Sequence, residues 1–194
     1  MFSLRIGGTL WRAGVPFLCL LALLLTVDRS GTAVLCLLAS FLHEFGHVAV
    51  LWLCGHPPRE ITVGVCGIRL VPHEKALPPV AEMVMLCAGS AVNLGFALTL
   101  QRLSVAPLAV ATHAVLGVFN LLPVEALDGG QILRCLLARR WGDATAYRVV
   151  RAVSVMVLLP LATMGFWLLL RAHNPTLLLV SGYLIARLFT DERI

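Results

Sequence analysis

The chain has 194 residues, of which 59% are hydrophobic and only 13% charged, and its mean hydropathy is +0.92. Soluble domains are about half apolar and a quarter charged. Fifteen basic and 10 acidic side chains cannot coat a compact body of this size, so most of the exterior must face lipid. The net charge of +5 comes from basic residues scattered between apolar runs, which excludes a nucleic-acid patch. Cys19, Cys36, Cys54, Cys66, Cys87 and Cys135 form no C-x-x-C pair; they read as small buried hydrophobes rather than a disulfide framework.

A helix crossing about 30 Å of hydrocarbon needs roughly 20 apolar residues. By that ruler the first element is a short span over Val15–Val27, which can lengthen toward Trp11 to give an accessory helix over residues 11–27. Arg5 and Arg12 ahead of an apolar run could also mark a signal peptide, but no small-x-small cleavage site follows, so retention as a helix is expected.

The second span, Thr32–Leu53, contains His43-Glu44-Phe45-Gly46-His47. An ionisable group at the centre of a membrane helix costs about 2.5–3.5 kcal/mol, and here three stand within a turn and a half. Something must offset that cost. Positions i and i+4 of a helix share a face, so His43 and His47 can turn ring nitrogens toward one ion with Glu44 beside them. A borderline metal held by imidazole is most simply zinc, one ion per chain. A catalytic zinc takes three protein ligands, so a third donor is owed from elsewhere.

After this span, residues 60–72 alternate Ile61, Val63 and Val65 with Thr62, Gly64 and Cys66 before Gly67 permits a turn. That pattern predicts a short hairpin at the membrane interface. Spans follow over Val80–Leu100, where Gly89 and Gly95 allow close helix approach, and over Leu103–Leu122. Glu82 suits a helix start. His113 falls two turns before Asn120 and reads as a packing or hydrogen-bonding group, and His56, His73 and His173 fall in loops.

The missing donor is sought in Asn120-Leu121-Leu122-Pro123-Val124-Glu125-Ala126-Leu127-Asp128-Gly129-Gly130. Pro123 breaks the helix, and the paired glycines allow backbone shapes that project Asp128. Unwound backbone at membrane depth survives only inside protein or beside water. Glu125 is the alternative donor. The Arg-rich stretch 133–151 is expected to lie along the cytosolic surface. Two further accessory helices, 152–170 and 174–189, complete six spans in a single integral membrane domain, the last crossing only if Arg187 snorkels. With a cytosolic N-terminus, every basic residue except Arg29, Arg102 and Arg171 falls inside, so both termini are expected in the cytosol.

HEFGH in an early membrane helix, paired with N-L-L-P-x-x-x-L-D-G-G at the end of a later one, resembles the site-2 protease family of intramembrane zinc metalloproteases, peptidase family M50. Ala88-Gly89-Ser90-Ala91-Val92-Asn93 resembles that family's small-residue and Asn motif on the intervening helix. The likeness covers a three-helix core over residues 32–133. Six spans with cytosolic termini most resemble the stage IV sporulation protease FB group, which cleaves a membrane-associated sigma-factor precursor and often carries a CBS domain; none follows here before Ile194. Glu125-Ala126 stands where the family often has an aromatic-Pro pair, and Gln131 where it often has Arg.

The resemblance implies an all-α polytopic membrane metalloendopeptidase of the cell membrane, with a short membrane-associated β-hairpin. Its substrate would be a membrane-tethered protein cut in or near a transmembrane segment. Zinc held by His43, His47 and Asp128 would activate water, and Glu44 would act as the base. Asn120 or Asn93 would donate to the oxyanion. Both asparagines also have an interhelical packing reading. The hairpin edge could pair with an extended substrate backbone or serve as an interface anchor. An inhibitory membrane partner and the oligomeric state stay open. A metal transporter would show an internal repeat, which is not seen, and an inactive scaffold would not need Glu44.

Overall fold

The computed structural model describes residues 2–6, 9–64, 67–71 and 77–190. The chain divides into two compact units, Met1–Val118 and Phe119–Ile194. Helices dominate both.

The first unit holds strands β1 (Phe2–Ile6) and β2 (Thr9–Ala13), helices α1 (Val15–Val27) and α2 (Thr32–Leu53), strands β3 (Glu60–Gly64) and β4 (Gly67–Val71), and helix α3 (Pro79–Arg102). Helix α4 (Pro107–Asn120) begins in this unit and ends in the next. The four strands form one sheet in the order β1-β2-β3-β4. β2 and β3 run parallel, and the outer pairs are antiparallel.

The sheet corrects two expectations. The first helix does not lengthen toward Trp11; residues 9–13 are strand, with Trp11 opposite Ile61, and α1 begins at Val15 with proline in its first turn. A partner some 50 residues away supplies the hydrogen bonds that local pattern cannot reveal: Leu10 N–H donates to Arg59 O at 3.0 Å and Gly14 N–H to Val63 O at 3.1 Å. Arg12, read above as a topology signal, pairs with Glu60 at 2.9 Å, and the fully buried Thr9 donates its hydroxyl to Pro58 O at 2.8 Å. An all-α description therefore omits a four-stranded sheet. β3 and β4 pair antiparallel from Glu60↔Val71 to Gly64↔Gly67; Val65, Cys66 and Pro72 of the expected hairpin lie outside the described residues.

Entry into α2 is set by the preceding turn. Gly31 adopts a left-handed φ of 74°, which favours glycine, and the Asp28 carboxylate accepts hydrogen bonds from Ser30 Oγ at 2.5 Å and Ala33 N–H at 2.6 Å. Donors from hydroxyl and backbone hold the Asp28 carboxyl below its ordinary range. Helix α2 then buries Ala39, His43, Gly46, His47, Val48 and Leu51, spaced three and four apart as one face requires. The buried positions of α3 have the same spacing: Leu86, Gly89, Ser90, Asn93 and Ala97.

The second unit contains α5 (Asp128–Trp141), α6 (Asp143–Ala172) and α7 (Thr176–Thr190). The expected surface segment 133–151 is thus split between two helices at Gly142, whose φ of 79° suits only glycine without strain. Basic side chains here fold onto aromatic rings: the Arg134 and Arg151 guanidinium carbons stand 5.9 and 6.0 Å from the Tyr147 centroid. Val124, Leu127, Leu158 and Leu184 form the core of this unit. A methyl group on Gly165 would lie 2.7 Å from Leu178 N, so α6 and α7 approach backbone to backbone.

Helices α2, α3 and α6 are long and apolar enough to cross a membrane. α1, α4 and α7 are apolar but have 13, 14 and 15 residues, about 20 Å at 1.5 Å per residue. Large apolar side chains such as Leu53, Val115, Met156 and Leu179 are exposed; lipid, rather than water, suits such a surface.

Candidate metal centre

His43 and His47 lie one turn apart on the buried face of α2, each 5% exposed. Their Nε2 atoms are 3.2 Å apart, and the rings meet edge to face at 83°. Two imidazole nitrogens bound to one tetrahedral zinc at 2.0–2.1 Å would be separated by about 3.3 Å. The pair therefore fits a single ion.

Small residues make room for the rings. A methyl group on Gly89 of α3 would lie 2.7 Å from both Nε2 and Cε1 of His43 and would overlap His47 Nε2. One on Gly46 would lie 2.9 Å from Ala88 O, so the α2 and α3 backbones also approach closely, as small residues permit in lipid.

Hydrogen bonds orient the rings. His47 Nδ1 lies 2.7 Å from Met85 O; a carbonyl oxygen only accepts, so Nδ1 carries the proton and Nε2 keeps its lone pair. His43 Nδ1 lies 3.3 Å from Asn93 Nδ2, and Asn93 Oδ1 lies 3.0 Å from His113 Nδ1. The His113 ring stacks on Phe96 at 5.3 Å and 17°. A polar chain from His47 through His43 and Asn93 to His113 thus runs across three helices whose outer faces are apolar.

The structure gathers His43, His47 and Asn93 as one cluster and adds His113, whose expected packing or hydrogen-bonding role is met by its contact with Asn93 Oδ1. A single histidine has no periodicity to mark it, and its partner lies 20 residues earlier on another helix. The Met85 carbonyl carries no signal in the sequence at all. Glu44 follows His43 on α2 and is half-buried.

Asn120 and Asp128 belong to the second unit. Asn120 is the last residue of α4 and Asp128 the first of α5, both half-buried. The turn between them is tightly built. Leu127 N–H donates to Val124 O at 2.8 Å, and Glu125 N–H to Ser154 Oγ at 2.8 Å. Any β-carbon on Gly129 would overlap Leu121 O, and one on Gly130 would overlap Val124 O. The two glycines let the turn fold back over the helix start, which sets a carboxylate at the positive end of α5.

The sequence profile described as Peptidase family M50 matches residues 101–161. The proposed zinc metalloprotease Rip3 of Mycobacterium tuberculosis, in strains Erdman and H37Rv, is 31% identical over 148 residues, 66% of this chain and 38% of Rip3. The chain thus spans well under half the length of these relatives. The site-2 protease from Methanocaldococcus jannaschii shares the fold, with a TM-score of 0.68 at 23% identity over 100% of this chain and 96% of that one. Profile, relative and fold, together with HEFGH on α2 and L-D-G-G at the start of α5, support the site-2 protease family, peptidase family M50.

Proposed function

We propose that the chain is an intramembrane zinc metalloprotease, and that it cuts a membrane-tethered protein in or near a transmembrane segment. The observation that carries this reading is the 3.2 Å separation of two buried imidazole nitrogens, which suits one tetrahedral ion. His43 and His47 supply two ligands, and Asp128 is proposed as the third. Bound there, zinc would make water available as a nucleophile near neutral pH and polarise the scissile carbonyl.

Glu44 is proposed to take the proton from the attacking water and deliver it to the leaving amine. Asn120 donates to the developing oxyanion; it is preferred over Asn93 because both ends of the Asn93 carboxamide meet imidazoles. A helical peptide bond is shielded by its own hydrogen bonds, so the substrate must be unwound locally. β1 and β4 are the outer strands of the sheet, and an outer strand could receive the extended substrate backbone with little demand on sequence.

Six crossings with both termini in the cytosol are part of the proposal, supported by the distribution of basic residues. Local thinning of the bilayer would accommodate the short α1, α4 and α7. The narrowest form of the proposal, a sporulation sigma-factor precursor as substrate, rests on motif resemblance. Co-expression with candidate membrane-tethered precursors, comparing the unaltered chain with Glu44→Gln by product mass, tests the reading. Cleavage should stop in the variant while zinc stays bound; persistent cleavage would remove Glu44 from the base role.

A further inference from the structure

A neutral imidazole carries one N–H, so a ring that offers Nε2 to a metal must hold its proton on Nδ1 and needs an acceptor there. His47 has an acceptor of fixed character, the Met85 carbonyl at 2.7 Å. His43 instead meets the Asn93 carboxamide at 3.3 Å, and a carboxamide can donate from one end and accept at the other. Its far end meets His113 Nδ1 at 3.0 Å. Asn93 is fully buried and His43 and His113 are each 5% exposed, which leaves little room for water to substitute for any of these partners.

The two ends of a carboxamide have nearly the same shape, so two arrangements fit the site. With Nδ2 toward His43, His113 Nδ1–H donates to Asn93 Oδ1 and His43 Nδ1 accepts. The His43 proton then sits on Nε2 and points at His47 Nε2, 3.2 Å away. With the carboxamide turned over, Oδ1 accepts from His43 Nδ1–H, and Nδ2 donates to His113 Nδ1. Only the second arrangement leaves both Nε2 lone pairs free to face one ion.

We propose that Asn93, backed by His113, is a positioning residue that selects the His43 tautomer able to bind metal. This rests on the metal reading above. It gives the buried amide and the third histidine a common role, and the Phe96 stack fixes the plane in which His113 meets the carboxamide. An aspartate at 93 would accept from both rings and enforce the metal-ready tautomer; a leucine would match the volume but accept from neither. If Asn93 served packing alone, the order would reverse, because a carboxylate buried among apolar helices costs more than leucine.

The test is cobalt(II) affinity of the full chain in detergent micelles, read from d–d absorption during chelator competition, for the unaltered chain, Asn93→Asp and Asn93→Leu. Asn93→Leu should bind 10- to 100-fold more weakly, the usual effect of losing a partner behind a metal ligand, while Asn93→Asp keeps the unaltered affinity. Asn93→Ala provides the same comparison if the leucine variant does not accumulate. Equal affinity for the unaltered chain and Asn93→Leu, or Asp binding more weakly than Leu, would overturn the assignment of Asn93 and leave the metal reading intact. An unaltered chain that binds no cobalt would overturn both.

Discussion

Gly89→Ala puts the geometry of the histidine pair under direct strain. The added methyl would stand 2.7 Å from His43 Nε2 and Cε1, whereas ordinary contact begins near 3.4 Å. The His43 ring would therefore retreat by about 0.7 Å, well beyond the roughly 0.2 Å tolerance of metal–ligand distances. The methyl would also overlap His47 Nε2, so withdrawal of one ring alone gives no relief. Overpacking of this kind costs about 1–3 kcal/mol. Charged wholly to metal binding, that range weakens zinc affinity by about 5- to 150-fold. Chelator competition on purified full chain reads the affinity, while circular dichroism and gel filtration show whether the variant is folded. A folded Gly89→Ala protein with unaltered zinc affinity would refute the placement of the rings against α3.

The other expectations concern catalysis and the turn before α2. Glu44→Gln should lower the cleavage rate by about 10²- to 10⁴-fold, the usual contribution of a general base, with zinc content unchanged by elemental analysis. Asp28 has a lowered pKa, chiefly through the Ser30 hydroxyl and then the Ala33 amide. A depressed folded-state pKa stabilises the turn at pH values above the ordinary 3.8, and that stabilisation is lost as pH falls through the lower folded value. Hydrogen exchange at the Ala33 amide should accelerate across that acid window, relative to its intrinsic rate, and Asp28→Asn should abolish the change.

What the sequence revealed followed from local physics. His43 and His47 were legible because a four-residue spacing on a helix fixes their common face, and because charge inside an apolar span demands a reason. The long spans α2, α3 and α6 were legible from length and hydropathy. By contrast, β2 hides in a basic N-terminal stretch, since the partner that completes its hydrogen bonds beyond the neighbouring β1 is β3, nearly 50 residues later. Gly142 gave no warning that it would split the Arg-rich segment, because helical apolar spacing resumes on both sides of it. The role of Gly89 depends on two rings from another helix, and that of His113 on an amide 20 residues away; neither relation has a period.

Zinc affinity of the full chain, compared with that of Asp128→Ala, is the most direct test of a centre built from two imidazoles and one carboxylate. The unaltered chain should bind one zinc per molecule, and the folded variant should bind it at least tenfold more weakly, about 1.4 kcal/mol or more. An unaltered chain that takes up no zinc, or a variant that holds it as tightly, would contradict the account.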